Sequence, residues 1–136
     1  MPHMKVLVTG FEPFGGEKVN ASLEAVRRLR ARIGALEIVT AALPTSYSRS
    51  LPALEAAIAR ARPQIVLCVG QAGERSALCV ERVAVNIQDA RIPDNDGAQP
   101  VDAPVMAGGP GRTTPGSRSS RGNLSWHPCD QNRSCP

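Results

Sequence analysis

Aromatic side chains are scarce: two Phe, one Tyr and one Trp in 136 residues. Four rings cannot interleave with a basic surface to stack successive bases, which argues against a single-strand nucleic-acid reader. Charge points the same way. Of the net charge of +4, residues 107–136 supply +3 (four Arg against one Asp), leaving +1 for the first 106 residues. A nearly neutral body gives no electrostatic reason to expect nucleic acid. A long apolar run is also missing, as is a charged-then-apolar leader, so no membrane partner is expected and the expected location is cytoplasmic. The four cysteines include no C-x2-C pair and fit free thiols in a reducing compartment. His127, Cys129 and Cys135 lack the paired spacing of a zinc site, so neither metal nor cofactor is expected.

What the chain does have is an alternation of short apolar runs and amphipathic stretches. Residues 5–9 (K-V-L-V-T) read as a short buried strand. Ser22 is a candidate N-cap for a helix carrying Leu23, Val26, Leu29 and Ile33. Residues 37–42 read as a second strand. A helix from Ser50 then places Leu51, Leu54, Ile58 and Ala61 on one face and stops at Pro63. Residues 65–69 form a third strand, in which Cys68 is expected as a buried, inert thiol. Strand, helix, strand, helix, strand predicts a parallel sheet with helices packed on it, within the length of one domain.

The loop at residues 10–16 is not a phosphate cradle, for it lacks the lysine of G-x4-G-K-[ST] and carries Glu12 instead. It does hold Phe11 and Phe14, half of all the aromatics. The loop follows a strand's carboxyl end, where ligands sit in open α/β sheets. Either ring packs the loop down or the two wall an apolar slot; the residues alone leave both open.

Residues 70–97 are the most distinctive stretch. Gly70 and Gly73 bound a loop, and residues 80–87 are β-branched enough for a strand. Alternation would send Cys79, Glu81, Val83 and Val85 to one face. An acid beside two valines is either a buried group with a partner or a solvent-facing carboxylate paired with Arg82 or Arg91.

The motifs Gly70-x-x-Gly73, Glu81-Arg-Val-Ala-x-Asn86 and Ala90-Arg-Ile-Pro-Asp-Asn95-x-Gly97, with Val8-Thr-Gly-Phe-Glu-Pro-Phe-Gly-Gly16 and Asn20 before them, resemble the type I pyroglutamyl peptidases. The resemblance covers roughly residues 5–110. It implies a three-layer α/β/α sandwich with a mixed, largely parallel sheet, incomplete in this chain. It also implies a cysteine-type exopeptidase acting on peptides with an N-terminal pyroglutamyl residue, homo-oligomeric when full length and without a cofactor. By resemblance, Phe11 and Phe14 wall the lactam ring and Gln71 bonds it. Backbone N–H groups near Arg91 help stabilise the oxyanion, and Glu81 orients the catalytic histidine. A flat, uncharged lactam suits an apolar slot that rejects free glutamate by desolvation cost.

The catalytic cysteine and histidine of that family lie further along, the cysteine in a segment like Thr-Ala-Gly-Thr-x-Val-Cys-Asn. Nothing in this chain matches that segment, and Cys79 has no histidine near it in sequence. The alternatives are a non-catalytic lactam-binding fragment and, on the Arg content alone, a basic-tail interaction protein.

The family pattern holds through Gly108-Gly-Pro110 and then gives way to Arg, Gly, Pro and Ser. Residues 111–136 are expected to be a disordered, non-family tail. Our hypothesis is a frameshift near codon 110, motivated by that abrupt switch. It implies an uncovered apolar sheet, poor solubility and no peptidase activity. Translating the other forward frames beyond codon 110 should yield a Thr-Ala-Gly-Thr-like segment with a cysteine, then a histidine. Two frames without them would sink the frameshift.

Overall fold

A computed structural model describes residues 3–113. In chain order the elements are β1 (Met4–Phe11), α1 (Ala21–Arg27), β2 (Arg32–Ile33), β3 (Leu36–Leu43), α2 (Ser50–Ala61), β4 (Ile65–Cys68), β5 (Ala84–Val85) and β6 (Arg112–Thr113). They fall into two units. One runs up to Gln71 and includes Pro93–Ala98; the other comprises Ala72–Ile92 and the residues from Gln99 onward. The expected tail at residues 111–136 lies almost wholly outside the described residues.

The first unit is built on β1. Its apolar run pairs in parallel with β3, from Met4↔Leu36 to Phe11↔Leu43, and with β4, from Val6↔Ile65 to Thr9↔Cys68. With β2 antiparallel to β3, the order is β2-β3-β1-β4, the mixed, largely parallel sheet of the α/β expectation. The chain steps from β1 to β3 on one side, then back across β1 to β4 on the other. Right-handed crossovers in opposite directions place α1 and α2 on opposite faces. Val6 and Val8 accordingly pack with Val26 of α1, joined by Leu36, Ile38 and Val69. Leu7, Thr9 and Leu43 point the other way and are equally buried, on the side taken by α2 with its buried Leu54, Ala57 and Ala61.

Several expectations are corrected. The N-cap of α1 is Asn20, not Ser22: Asn20 Oδ1 accepts from the Ser22 N–H at 3.0 Å. The helix stops at Arg27, so Leu29 and Ile33 are not on it. Ile33 instead belongs to β2, joined to β3 through Gly34 at φ +59°, a two-residue hairpin turn that favours glycine at its first position. The buried face of α2 runs through Ala57, leaving Leu51 and Ile58 only half-buried. Cys68, in register with Thr9 and so on the α2 side, is exposed because among the described residues β4 pairs along one edge only and α2 packs on β3 and β1. On that strand Ile65 and Leu67 are 45% and 53% exposed.

The second unit differs in kind. Of the strand expected at residues 80–87 only Ala84–Val85 forms, paired antiparallel with Arg112–Thr113. The shared face of Cys79, Glu81, Val83 and Val85 is therefore not built. All the fully buried apolar side chains among the described residues belong to the first unit, while Leu78 and Val80 are almost wholly exposed. β-branched residues favour strands when they pack on a half-buried surface, and the described residues supply none here. Hydrogen bonds carry the unit: Asn86 exchanges two with Met106, both at 2.8 Å, and Gln88 exchanges backbone bonds with Ala103.

Gly10 ends the apolar run of β1 against α1. A Cβ there would lie 2.9 Å from backbone atoms of Ser22 and Leu23, which cannot rotate away. Gly10→Ala should therefore destabilise the chain by about 1–3 kcal/mol in urea unfolding, the usual cost of overpacking. An unchanged midpoint would show that α1 is free to slide.

Candidate active site

The carboxyl ends of β1 and β4 form the switch point of the sheet, since the connection leaving β1 crosses to the opposite side from β4. Phe11 is the last residue of β1, so the loop expected from residue 10 starts only at Glu12; that loop carries Phe14, and just beyond β4 comes Gln71. All three are anchored or placed near the start of α1 or the loop leading to it. The Phe11 N–H donates to Ser22 Oγ at 3.0 Å, and Gln71 Oε1 accepts from the Ala21 N–H at 2.7 Å. That bond leaves the donor end of the Gln71 amide for another acceptor. Both rings are half-buried, neither sunk into the core nor fully in solvent.

Between the two rings the backbone is held from outside the loop. The Glu12 N–H donates to the Leu43 carbonyl at 2.9 Å, extending the β3 ladder. The Glu12 carbonyl accepts from Thr45 Oγ1 at 2.6 Å and from Asn20 Nδ2 at 3.2 Å. Residues 93–98, part of the same unit, form a clasp. Asp94 accepts from the Tyr47 N–H at 2.7 Å and from the N–H groups of Asp96 and Ala98. Asn95 donates through Nδ2 to the Pro13 carbonyl at 2.9 Å and through its N–H to the Thr45 carbonyl at 3.0 Å. Asp96 receives a bidentate pair of bonds from Arg49 at 2.7 and 2.8 Å. The sequence showed these residues as part of a motif but gave no sign of what they hold.

Glu81, Arg91 and Cys79 belong to the second unit. The Glu81 side chain is 61% exposed and accepts from Arg75 Nη1 at 3.0 Å, so its guanidinium partner is neither Arg82 nor Arg91. A turn in which the Arg75 N–H meets the Ala72 carbonyl presents that arginine. Arg91 is exposed, and its carbonyl accepts from Gln99 Nε2 at 3.1 Å. Next to it, the Ala90 N–H is already donated to the Pro100 carbonyl at 2.8 Å. An oxyanion would thus have to be met by other N–H groups of this stretch. Cys79 is exposed, with Sγ 3.8 Å from the Ala77 carbonyl. The Cys68 residue is open to solvent, yet enough atoms crowd its sulfur to raise its pKa by desolvation, which disfavours the reactive thiolate. No group of acids, cysteines and histidines among the described residues is arranged to hold a metal ion; His127, Cys129 and Cys135 lie outside them.

The match to known proteins covers both units. Residues 4–113 match the family described as pyroglutamyl peptidase. The chain is 56% identical over 107 residues to the pyrrolidone-carboxylate peptidase of Erwinia tasmaniensis, taking in 78% of this chain and 50% of that protein. To pyrrolidone-carboxylate peptidase 1 of Streptococcus pneumoniae it is 54% identical over 106 residues, with the same two coverages. Among solved structures, pyroglutamyl peptidase I from Bacillus amyloliquefaciens matches with a TM-score of 0.80 at 50% identity, over 83% of this chain and 54% of that one. The pyrrolidone carboxyl peptidase of Pyrococcus furiosus matches at 0.78 and 43%, over 82% and 54%. The fold is the α/β fold of these peptidase structures. The chain belongs to the pyroglutamyl peptidase family, and it spans about half the length of the curated relatives it matches.

The clasp has a pH signature. The hydrogen bond from Arg49, then one from Ser46, holds the Asp96 carboxyl below its ordinary value. A depressed folded-state pKa adds stability above the unfolded value, about 3.9, and that stability is lost as pH falls through the folded one. Asp96→Asn should therefore lower the melting temperature slightly at about pH 7, and by progressively less as pH falls below about 3.9. Melting curves recorded from neutral pH into the acid range, at low salt, check this; a shift that does not shrink on acidification would remove the pair as the cause.

Proposed function

We propose that this chain carries the lactam-recognition half of a cysteine-type exopeptidase that removes N-terminal pyroglutamyl residues from peptides, and that it does not itself turn them over. The observation that carries the reading is the placement of Phe11, Phe14 and Gln71 at the switch point of the sheet, beside the start of α1. Two half-buried rings suit the flat face of a five-membered lactam, and the donor end of the Gln71 amide, which bonds to none of the described residues, suits its carbonyl. A charged glutamate would lose hydration there without a compensating ion pair.

In the complete site a cysteine thiolate would attack the pyroglutamyl carbonyl while a histidine moves the proton. Glu81 would hold that imidazole in the tautomer facing the sulfur. In this chain Arg75 is the partner of Glu81, and His3 is the only histidine among the described residues. The arrangement thus supports binding without chemistry. Support for peptide substrates comes from the relatives' names; a cytoplasmic setting and a homo-oligomeric complete protein belong to the same reading.

Titrating purified chain with pyroglutamate should show weak, saturable binding, with glutamate binding far more weakly, and a chromogenic pyroglutamyl amide should release no chromophore. Equal binding of the two acids would remove the slot, and chromophore release would remove the claim of inactivity.

A further inference from the structure

We propose that Asn95 is the positioning residue of the aromatic loop, fixing through its side-chain amide the separation of Phe11 and Phe14. The proposal rests on the reading of that loop as the lactam slot. Only Glu12 and Pro13 separate the two rings, so the path of those two residues sets the width of the slot. Glu12 is held three ways: by the Leu43 carbonyl at its N–H, and by Thr45 Oγ1 and Asn20 Nδ2 at its carbonyl. Pro13 has no N–H, so its carbonyl is its only backbone hydrogen-bonding group. Asn95 Nδ2 occupies that carbonyl at 2.9 Å.

The amide is presented rigidly. Asp94 closes its own turn by accepting from the N–H groups of Asp96 and Ala98, and it grips the Tyr47 N–H. The Asn95 N–H meets the Thr45 carbonyl at 3.0 Å, and the same Thr45 holds Glu12 through Oγ1 at 2.6 Å. One residue thus secures Pro13 directly and Glu12 through its neighbour. Asn95 itself is exposed, so truncating its side chain opens no cavity and leaves its backbone bond in place.

The test is amide hydrogen exchange on the full chain, read beside pyroglutamate titration. The Glu12 and Glu17 amides report the loop, through their bonds to the Leu43 and Phe14 carbonyls, and the Leu7 amide reports the core. Asn95→Ala should speed exchange at Glu12 and Glu17 about fivefold, the loss of one ordinary hydrogen bond, with Leu7 unchanged and pyroglutamate affinity lowered by a similar factor. Asn95→Asp, which turns a carboxylate toward the Pro13 carbonyl, should do at least as much. Unchanged exchange at Glu12 and Glu17 in both variants would overturn the proposal. So would equal acceleration at Leu7, or a loosened loop with undiminished affinity. A parent chain that binds no pyroglutamate would instead overturn the slot reading, while the exchange rates would still decide whether Asn95 holds the loop.

Discussion

The pairing of β1 along both of its edges is the constraint on which the first unit rests. A strand hydrogen-bonded to parallel neighbours on each side and covered on both faces has every backbone group satisfied and no route to slip. Leu7 at its centre is 0% exposed. Its carboxyl end is then a fixed point. Phe11 ends the strand, the loop carrying Phe14 leaves from there, and α1 returns over Gly10 so closely that no side chain fits between them. The site inherits its position from the sheet, and its internal shape from the small polar side chains that tie the loop down.

Those polar ties explain what was legible in the sequence and what was not. Apolar runs announced β1, β3 and β4, and helical spacing announced α2; β1 and α2 do bury a continuous stripe, whereas β4 is announced by its run alone and stays largely exposed. α1 was read too long because Leu29 and Ile33 continued its period, while the turn at Gly34 had already redirected the chain into a hairpin. The aromatic loop was recognisable from its motif. Its fastening through Asn20, Thr45 and Asn95 was not, since each bond ends on a backbone carbonyl, and carbonyls carry no residue identity.

The second unit failed the sequence reading for a different reason. β-branched residues from Val80 to Ile87 express a preference for a surface to lie on, and a preference is met only where a partner exists. Without one, two residues pair and the rest follow side-chain amides, as at Asn86 and Gln88. Glu81 shows the same dependence. Its partner, Arg75, was set by a local turn rather than by the strand face that the alternation implied.

A segment fastened by amide bonds, with Leu78 and Val80 already in water, has little apolar surface left to hydrate when it melts. The heat-capacity increment of unfolding follows newly wetted apolar area, so among the described residues the sheet and its two helices should supply almost all of it. Calorimetry would scarcely register the stretch Ala72–Ile92.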